Sequence, residues 1–236
     1  MASPAVPTPP PLRGISSMAT RQLLAELTQA WQARSGRAVA IESVGGVDAA
    51  KRVQAGEAFD VVVLASDAID KLMAAGCLES GSKVDLVRSG TSVAVPAGAP
   101  LPDISSEHAV RAAVLAAPTL GYSTGPSGVA LAKLFERWGI AEQVQPRIVT
   151  PPPGTPVGAL IAKGEVALGF QQLSELIHVT GITVVGPLPE AIAIDTVFSG
   201  AVCNGTSRAD DVRALLAFMA SPETTLAKRA QGMQAL

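Results

Sequence analysis

Four segments of this sequence place small, hydroxyl-bearing and glycine residues directly in front of a predicted helix. They are residues 14–18, 43–47, 122–128 and 149–156. The first turn of a helix presents unpaired backbone N–H groups and the positive end of the helix dipole, so such turns can bind anions. Two of the segments lie in the first third of the chain and two lie beyond its midpoint. If the two groups face each other, they form a cleft for a small, negatively charged molecule.

The candidate ligand contacts in these turns are hydroxyls and backbone N–H groups. They are Ser16, Ser17, Gly45, Gly46, Ser123, Thr124, Ser127, Gly128, Thr155 and Val157. Each turn also has an ordinary structural alternative, since serine caps helices, glycine pairs make tight turns and proline favours a first helical turn. The segment 123–129 is the strongest candidate because its hydroxyls and glycines exceed what a helix cap requires. It is not a P-loop, because no Gly-Lys-Ser/Thr follows at the required spacing.

Two glutamines and an arginine extend the set of candidate ligand contacts. Gln171 and Gln172 follow a predicted buried strand, and the carboxyl end of a strand is where open α/β sheets place ligands. Helix capping and surface exposure are the alternative for this pair. Arg21 lies one helical turn past Ser17, where its guanidinium could clamp a carboxylate with two hydrogen bonds. A solvent-exposed helix face is the alternative for Arg21.

No acidic residue stands out as a general base, although three are candidates. Glu42, beside the second turn, is the one best placed by sequence, and a surface position on a strand is the simpler explanation for it. Asp67 and Glu175 are further candidates without a distinguishing signal. His108 and His178 are far apart, and neither has a nearby cysteine or histidine, which argues against a metal site. We therefore expect no metal and no cofactor.

The composition is typical of a well-buried globular protein. Of 236 residues, 48% are hydrophobic and 16% charged, with a net charge of −2, which does not favour nucleic-acid binding. The chain is long enough for one large domain or two ordinary ones. No apolar run reaches the length of a membrane span, so we expect no membrane insertion. Residues 2–12 are proline-rich and do not resemble a secretory signal, so we expect a periplasmic location if a signal peptide has been removed and a cytoplasmic one otherwise.

The hydrophobic pattern alternates between short Val/Ile/Leu runs and helical stretches, which indicates an α/β fold of βαβ units on mostly parallel sheets. The predicted strands are residues 12–15, 37–43, 59–65, 84–95, 119–123, 145–149, 166–170, 183–186 and 194–202. Residues 84–95 are expected to form two strands bent at Gly90.

These units fall into two sets joined by extended segments. The sequence therefore predicts two lobes, one formed by residues 1–88 with 197–236 and the other by residues 89–196. The chain would cross between them near residues 87–95 and 192–202. Two such crossings form a hinge, which is an arrangement used to close over ligands.

Three stretches carry a resemblance to a known family. They are Ile15-Ser16-Ser17-Met18, residues 50–61 with their Gln-Ala-Gly-Glu and Phe-Asp-Val segments, and residues 164–170. In this order and spacing they resemble type II solute-binding proteins, specifically the molybdate-binding proteins of ABC transporters, over nearly the whole chain. The resemblance implies a two-lobed type II periplasmic-binding-protein fold and an oxyanion held between the lobes by hydroxyls and main-chain N–H groups. It also implies an ABC transporter permease as a partner, and we expect a monomer.

The resemblance assigns roles to individual positions. Ser17 matches the serine that follows the first strand, Ser127 or its neighbours match the turn of the second lobe, and Val157 matches the next helix N-terminus. Two departures concern the ligand. Gly45-Gly46-Val47 replaces a serine-rich turn, and Phe170-Gln171-Gln172 replaces a tyrosine. Each loss of a donor to a buried oxyanion costs about 1–3 kcal/mol, which makes molybdate doubtful and favours a planar ligand such as a carboxylate.

Two functions remain open at this point. The first is a non-enzymatic clamp that closes on a small anion and delivers it to a transporter. The second follows from the resemblance, because some proteins that resemble molybdate binders are aconitate isomerases, which move a proton across an allylic tricarboxylate. That chemistry requires an anion clamp and a base but no cofactor, and Glu42 is the candidate base.

Overall fold

The computed structural model describes residues 9–152 and 154–236. Strands and helices alternate along most of the chain, as the hydrophobic pattern predicts. The strands are β1 (Leu12–Ser17), β2 (Val39–Val44), β3 (Val61–Ala65), β4 (Val84–Pro96), β5 (Leu120–Tyr122), β6 (Ile148–Val149), β7 (Leu168–Gln172), β8 (Ile182–Pro187), β9 (Asp195–Val202) and β10 (Gln234–Ala235).

The helices connect these strands and cover the faces of the sheet. They are α1 (Arg21–Ser35), α2 (Gly46–Gln54), α3 (Ser66–Ala74), α4 (Glu107–Ala116), α5 (Pro126–Arg137), α6 (Ala141–Val144), α7 (Val157–Ala162), α8 (Leu173–Leu176), α9 (Ala209–Ala220) and α10 (Thr225–Ala230). A short 3-10 turn, Met18–Thr20, separates β1 from α1.

The first half of the molecule is built on the strand order β2-β1-β3-β9-β4. β2, β1 and β3 run parallel, and β9 pairs antiparallel with β3 and with the first part of β4. Along β3, Val61 and Val63 pack with α1 and α9, whereas Val62 and Leu64 pack with α2 and α3. Because helices cover both faces, β3 is buried over its whole length.

The second half continues the sheet in the order β4-β7-β5-β6, and β8 also pairs with β4. β5, β6 and β7 run parallel, whereas β7 and β8 are antiparallel to the second part of β4. Val93 of β4 packs in a cluster with α4 and α5, and its neighbour Ala94 packs in a cluster with α7 and α8. This half therefore repeats the layered arrangement of the first, which confirms the predicted α/β class.

Strand β4 passes from one half to the other at Gly90. Residues up to Gly90 pair with β9, where Gly90 lies opposite Asp195, and residues from Thr91 onward pair with β7, where Thr91 lies opposite Gln172. The sequence predicts two strands bent at this glycine, and the structure has one continuous strand that changes partners there. This change of partners is compatible with the predicted lobes, residues 1–88 with 197–236 and residues 89–196. The exact division stays a prediction.

Most strand boundaries differ from the prediction by one or two residues, and two of the differences are larger or affect the candidate site. The strand expected at 145–149 is reduced to β6, because Gln145–Arg147 forms a 3-10 turn that contains Pro146. The strand expected at 166–170 is shifted, so that Gln171 and Gln172 end β7 instead of following it. This shift fixes the direction of both glutamine side chains through the alternation of the strand.

The two cysteines of the chain lie near each other but are not bonded. Leu78 and Cys203 form an isolated antiparallel bridge, and both thiols are free. Cys203 is buried, and this burial, reinforced by the negative charge of Asp60, raises the pKa of its thiol to about 12. Cys77 is only half-buried. None of the described helices combines the length and hydrophobicity that a membrane span requires.

Candidate functional site

A cavity of about 790 Å³ lies where the two halves of the molecule face each other. It opens at the carboxyl ends of the parallel strands β1, β3 and β7, which is where open α/β sheets bind ligands. Turns of both halves line it. The sequence-predicted residues in the lining are Ser17, Gly45, Gly46, Asp67, Ser123, Thr124, Ser127, Thr155, Val157, Gln171, Gln172 and Glu175.

Ser16 and Ser17 are the last two residues of β1, and Ser17 lines the cavity whereas Ser16 does not. The Ser16 Oγ lies 2.8 Å from the Ser43 Oγ of β2 and is fully buried. Ser17 is 7% exposed, and its Oγ has no hydrogen-bond partner among the described residues. A buried hydroxyl without a partner costs free energy, so the Ser17 Oγ is available to a ligand in the cavity.

The glycine pair after β2 begins helix α2 beside this serine. Gly46 is the first residue of the nine-residue helix α2, and a Cβ added to Gly46 would lie 3.5 Å from the Cβ of Ser17. The N-terminus of α2 and the Ser17 hydroxyl are therefore neighbours. Together they offer backbone N–H groups and a free hydroxyl to the same region of the cavity.

The turn after β5 contributes hydroxyls from the second half. The Ser123 and Ser127 Oγ atoms are 3.3 Å apart, and Pro126 begins the twelve-residue helix α5. Gly128 does not line the cavity, but it shapes this turn. A Cβ at Gly128 would overlap the carbonyl oxygen of Ser123 and would lie 2.7 Å from the Ser123 carbonyl carbon.

The last two residues of β7 contribute two side-chain amides, each hydrogen-bonded to a neighbouring element. Gln171 Oε1 accepts a hydrogen bond from the Gly158 N–H (3.1 Å), and Gln171 Nε2 donates to Glu175 Oε1 (2.9 Å). Gln172 Nε2 donates to Thr196 Oγ1 (2.8 Å). Gln172 is 3% exposed and its Oε1 has no partner among the described residues. This glutamine thus has one unused polar atom at the cavity.

The short helix α8 holds Glu175 at the junction of the two halves. The Ser174 Oγ donates a hydrogen bond of 2.8 Å to the Ala19 carbonyl oxygen, which belongs to the turn that follows Ser17. Burial raises the pKa of the Glu175 carboxyl to about 7, although the hydrogen bond from Gln171 acts in the opposite direction. A pKa raised toward neutral pH places this carboxyl in the range in which it can accept or donate a proton.

Four predicted residues lie outside the cavity lining. Ser16 is bonded to Ser43, Gly128 is buried behind its turn, and Arg21 is exposed on α1. Glu42 is also exposed, and its two carboxylate oxygens accept hydrogen bonds of 2.7 and 2.9 Å from Arg52. These hydrogen bonds from Arg52 lower the pKa of Glu42. The structure therefore does not place Glu42 where a base could reach a ligand in the cavity.

The sequence did not single out Thr196 or two charged residues of the cavity rim, Asp48 and Lys71. Asp48 and Lys51 of α2, with Lys71 of α3, line the cavity and are exposed. Thr196 lines the cavity because β9 pairs with β4. No local sequence pattern predicts that pairing. Within residues 9–152 and 154–236, no group of three or more His, Cys, Asp or Glu side chains is arranged to hold a metal ion.

The family follows from a comparison with known sequences. The sequence model of the family described as bacterial extracellular solute-binding protein matches residues 12–234. The chain belongs to that family. A curated relative, the aconitate isomerase of Pseudomonas sp, is 39% identical over 186 residues, which is 78% of this chain and 70% of the relative.

Solved structures with the same fold have low sequence identity to this solute-binding protein. The periplasmic molybdate-binding protein of Azotobacter vinelandii superposes with a TM-score of 0.79 at 19% identity, covering 94% of this chain and 98% of the other. The sulfate-binding protein SubI of Mycobacterium tuberculosis H37Rv gives 0.78 at 14% identity, covering 95% and 86%. The fold is the two-lobed type II periplasmic-binding-protein fold, with the cavity in the cleft between the lobes.

Proposed function

We propose that this solute-binding protein holds a small carboxylate anion in the cleft between its lobes. The observation that carries the proposal is the buried Ser17 Oγ, which has no hydrogen-bond partner among the described residues and belongs to a residue that lines the cavity beside the N-terminus of α2. The Ser123 and Ser127 hydroxyls approach the same cavity from the other lobe at the start of α5. Donors from both lobes would meet the anion only when the lobes enclose it.

A carboxylate suits this cleft better than a tetrahedral oxyanion. The glycine pair at 45–46 supplies N–H groups but no hydroxyl, and β7 ends in two glutamines. Thr196 can donate a hydrogen bond as well as accept one. A half-turn of the Gln172 amide would let Thr196 donate to its oxygen and would turn the NH₂ group toward the ligand. The volume of about 790 Å³ has room for a ligand with several carboxyl groups.

The family also supports a proposal on partner and compartment. We propose that the protein acts outside the cytoplasm, in the periplasm, and delivers its ligand to an ABC transporter permease. The family description is extracellular, and a neighbour with this fold is described as the substrate-binding domain of a molybdenum ABC transporter.

A calorimetric titration of two serine variants tests the proposed ligand site. We expect trans-aconitate or citrate to bind, with molybdate, tungstate and sulfate binding more weakly. Ser17→Ala should weaken binding roughly 10- to 100-fold, because one donor to a buried anion contributes about 1–3 kcal/mol.

Ser16→Ala is the matched control for this titration. It removes the hydrogen bond to Ser43, so it should cost about 1 kcal/mol of unfolding free energy and leave the affinity unchanged. An absence of heat with every anion in a folded sample would overturn the proposal. Equal affinities of the two variants would overturn the role of Ser17.

An aconitate isomerase is the second candidate function, and Glu175 is the observation that favours it. Its carboxyl lines the cavity, has a pKa of about 7 and is held by Gln171. In such a reaction the Glu175 carboxylate would take a proton from the saturated carbon of the tricarboxylate. The electron pair would shift the double bond, and the same proton would return to the other end of the allylic unit. The relative named aconitate isomerase supports this candidate.

An ultraviolet assay of cis- to trans-aconitate conversion tests the second candidate. If the protein is an isomerase, Glu175→Gln should reduce turnover by about 10²- to 10⁴-fold, which is the usual contribution of a general base. Glu42→Gln should retain full turnover, because Glu42 pairs with Arg52 outside the cavity. No conversion by the wild-type protein at high concentration would remove this candidate.

A further inference from the structure

The charged residues that line the cleft do not favour an anion. Three carboxyl groups, those of Asp48, Asp67 and Glu175, face two ammonium groups, those of Lys51 and Lys71. No arginine appears in the lining formed by the described residues. With all five groups ionised, an anion entering the cleft meets more negative than positive charge. Binding is therefore easier when one carboxyl is neutral.

Glu175 is the carboxyl best placed to become neutral. Asp48, Lys51, Asp67 and Lys71 all lie on α2 and α3, where their side chains are exposed, and Lys71 Nζ lies 3.5 Å from Asp67 Oδ2. Water screens such exposed charges. Glu175 approaches from the other lobe, inside the cleft, where screening is weaker and where its contact is the neutral amide of Gln171.

The elements packed around α8 bring no described cation to the Glu175 carboxyl. Its neighbours β7, α7 and the 3-10 turn Met18–Thr20 carry no charged residue. His178, which follows α8, is hydrogen-bonded to Gln231. The remaining charged groups on packed elements, none of which lines the cleft, are Asp85 and Arg88 of β4 and Lys228 and Arg229 of α10.

We propose that the anion binds together with one proton, which Glu175 takes up and donates as a hydrogen bond to the ligand. This inference rests on the proposed function of the cleft. The neutral carboxyl removes one negative charge from the site and adds one donor to the Ser17, Ser123 and Ser127 hydroxyls. Glu175 thereby selects for ligands that present a strong acceptor oxygen at the junction of the lobes.

The direction of the pH dependence follows from the ionisation of Glu175. Burial already raises the pKa of its carboxyl to about 7, and a bound anion raises it further because like charges repel. The protonated form therefore binds more tightly. Above pH 7 the affinity should fall by about tenfold per pH unit, as expected for the uptake of one proton.

Calorimetry in buffers of different ionisation enthalpy measures this proton directly. Titrations of wild-type protein with trans-aconitate and with sulfate at pH 8 use probes that are fully ionised at that pH, so a proton taken up must bind to the protein. We expect close to one proton per bound anion. Glu175→Gln should take up close to none, and its affinity should stay level between pH 7.5 and 9. Glu42→Gln, outside the cleft, should behave like the wild type.

Four results separate the possibilities. Binding without proton uptake by the wild type would overturn this inference and leave the proposed function intact. Proton uptake that persists in Glu175→Gln would also overturn it. No binding at any pH by folded protein would overturn both. Proton uptake that is lost in Glu175→Gln supports the inference and counts against the isomerase candidate, because a protonated Glu175 is not a base.

Discussion

A Gly128→Ala variant should lose anion binding together with at least about 3 kcal/mol of unfolding free energy. The added Cβ would overlap the carbonyl oxygen of Ser123 and would lie 3.2 Å from Tyr122 Cδ2. Overpacking of a side chain costs about 1–3 kcal/mol, and here the obstacle is backbone, which cannot rotate away. Relief requires the turn itself to move, so Ser123 and Ser127 would leave the cleft. Urea denaturation and calorimetric titration measure the two losses.

Gly125→Ala is the matched control for Gly128→Ala, because it changes a glycine in the same turn. The nearest atom to a Cβ at Gly125 is the Ser123 Oγ at 3.7 Å, an ordinary contact, and the backbone of Gly125 is extended, with a φ of −79°. Its unfolding free energy should stay within about 0.5 kcal/mol of the wild type. A Gly128→Ala protein with wild-type affinity and stability would show that this turn tolerates a side chain and is not shaped as described.

Asp60→Ala should destabilise the fold by about 2–3 kcal/mol while leaving the affinity of the cleft nearly unchanged. Asp60 is 8% exposed. Its carboxylate is paired with Arg208 and accepts hydrogen bonds from Thr206 Oγ1 (2.6 Å) and from the Arg13 N–H (2.7 Å). The variant leaves the partly exposed Arg208 guanidinium without its carboxylate, and the Arg13 N–H and the Thr206 hydroxyl without their acceptor. The site lies at the opposite end of β3 from the cleft, which is why binding should persist.

The pH dependence of stability offers a second measurement on Asp60. Burial acts to raise the pKa of its carboxyl, but the hydrogen bonds from Thr206, Arg13 and Arg208 outweigh it and hold the pKa below its ordinary value. The ionised form is thus favoured in the folded state, so its stabilisation is complete above about pH 4 and is lost as the pH falls further. Asp70→Ala, which breaks the exposed pair with Lys83, should cost at most about 1 kcal/mol. Equal losses for the two variants would contradict this account.

Much of the fold is predictable from the sequence because its signals are local. β3 is an unbroken apolar run and is buried on both faces, and glycine in the left-handed conformation follows α1 at Gly36, as the end of a helix favours. The pairing of β4 is different in kind. Gly90 suggests a bend, but the pairs that β4 forms on either side of it, Gly90 with Asp195 and Thr91 with Gln172, join residues far apart in the chain. No local pattern specifies such pairs.

The residues of the candidate site also differ in whether local sequence signals predict them. Ser17, Ser123 and Ser127 lie where a strand gives way to a helix, at the end of β1 and at the start of α5, so the local sequence alone makes them candidates. Glu42 also stands beside such a turn, but β2 is the edge strand and Arg52 of α2 binds its carboxylate on the surface. The environment of Glu175 depends on contacts from distant segments, such as the hydrogen bond between Ser174 and Ala19. Burial of this kind arises only when the lobes are assembled, so a short window of sequence cannot predict it.

The unequal exposure of the two cysteines makes the protein convenient for site-directed labelling. The Cys203 thiol, with a pKa of about 12, stays protonated and buried, whereas Cys77 remains partly open to solvent. A maleimide dye should therefore attach at Cys77 alone, on the first lobe. A second cysteine introduced on the outer surface of α5 would then complete a donor–acceptor pair, and energy transfer between the dyes would follow the approach of the lobes in real time.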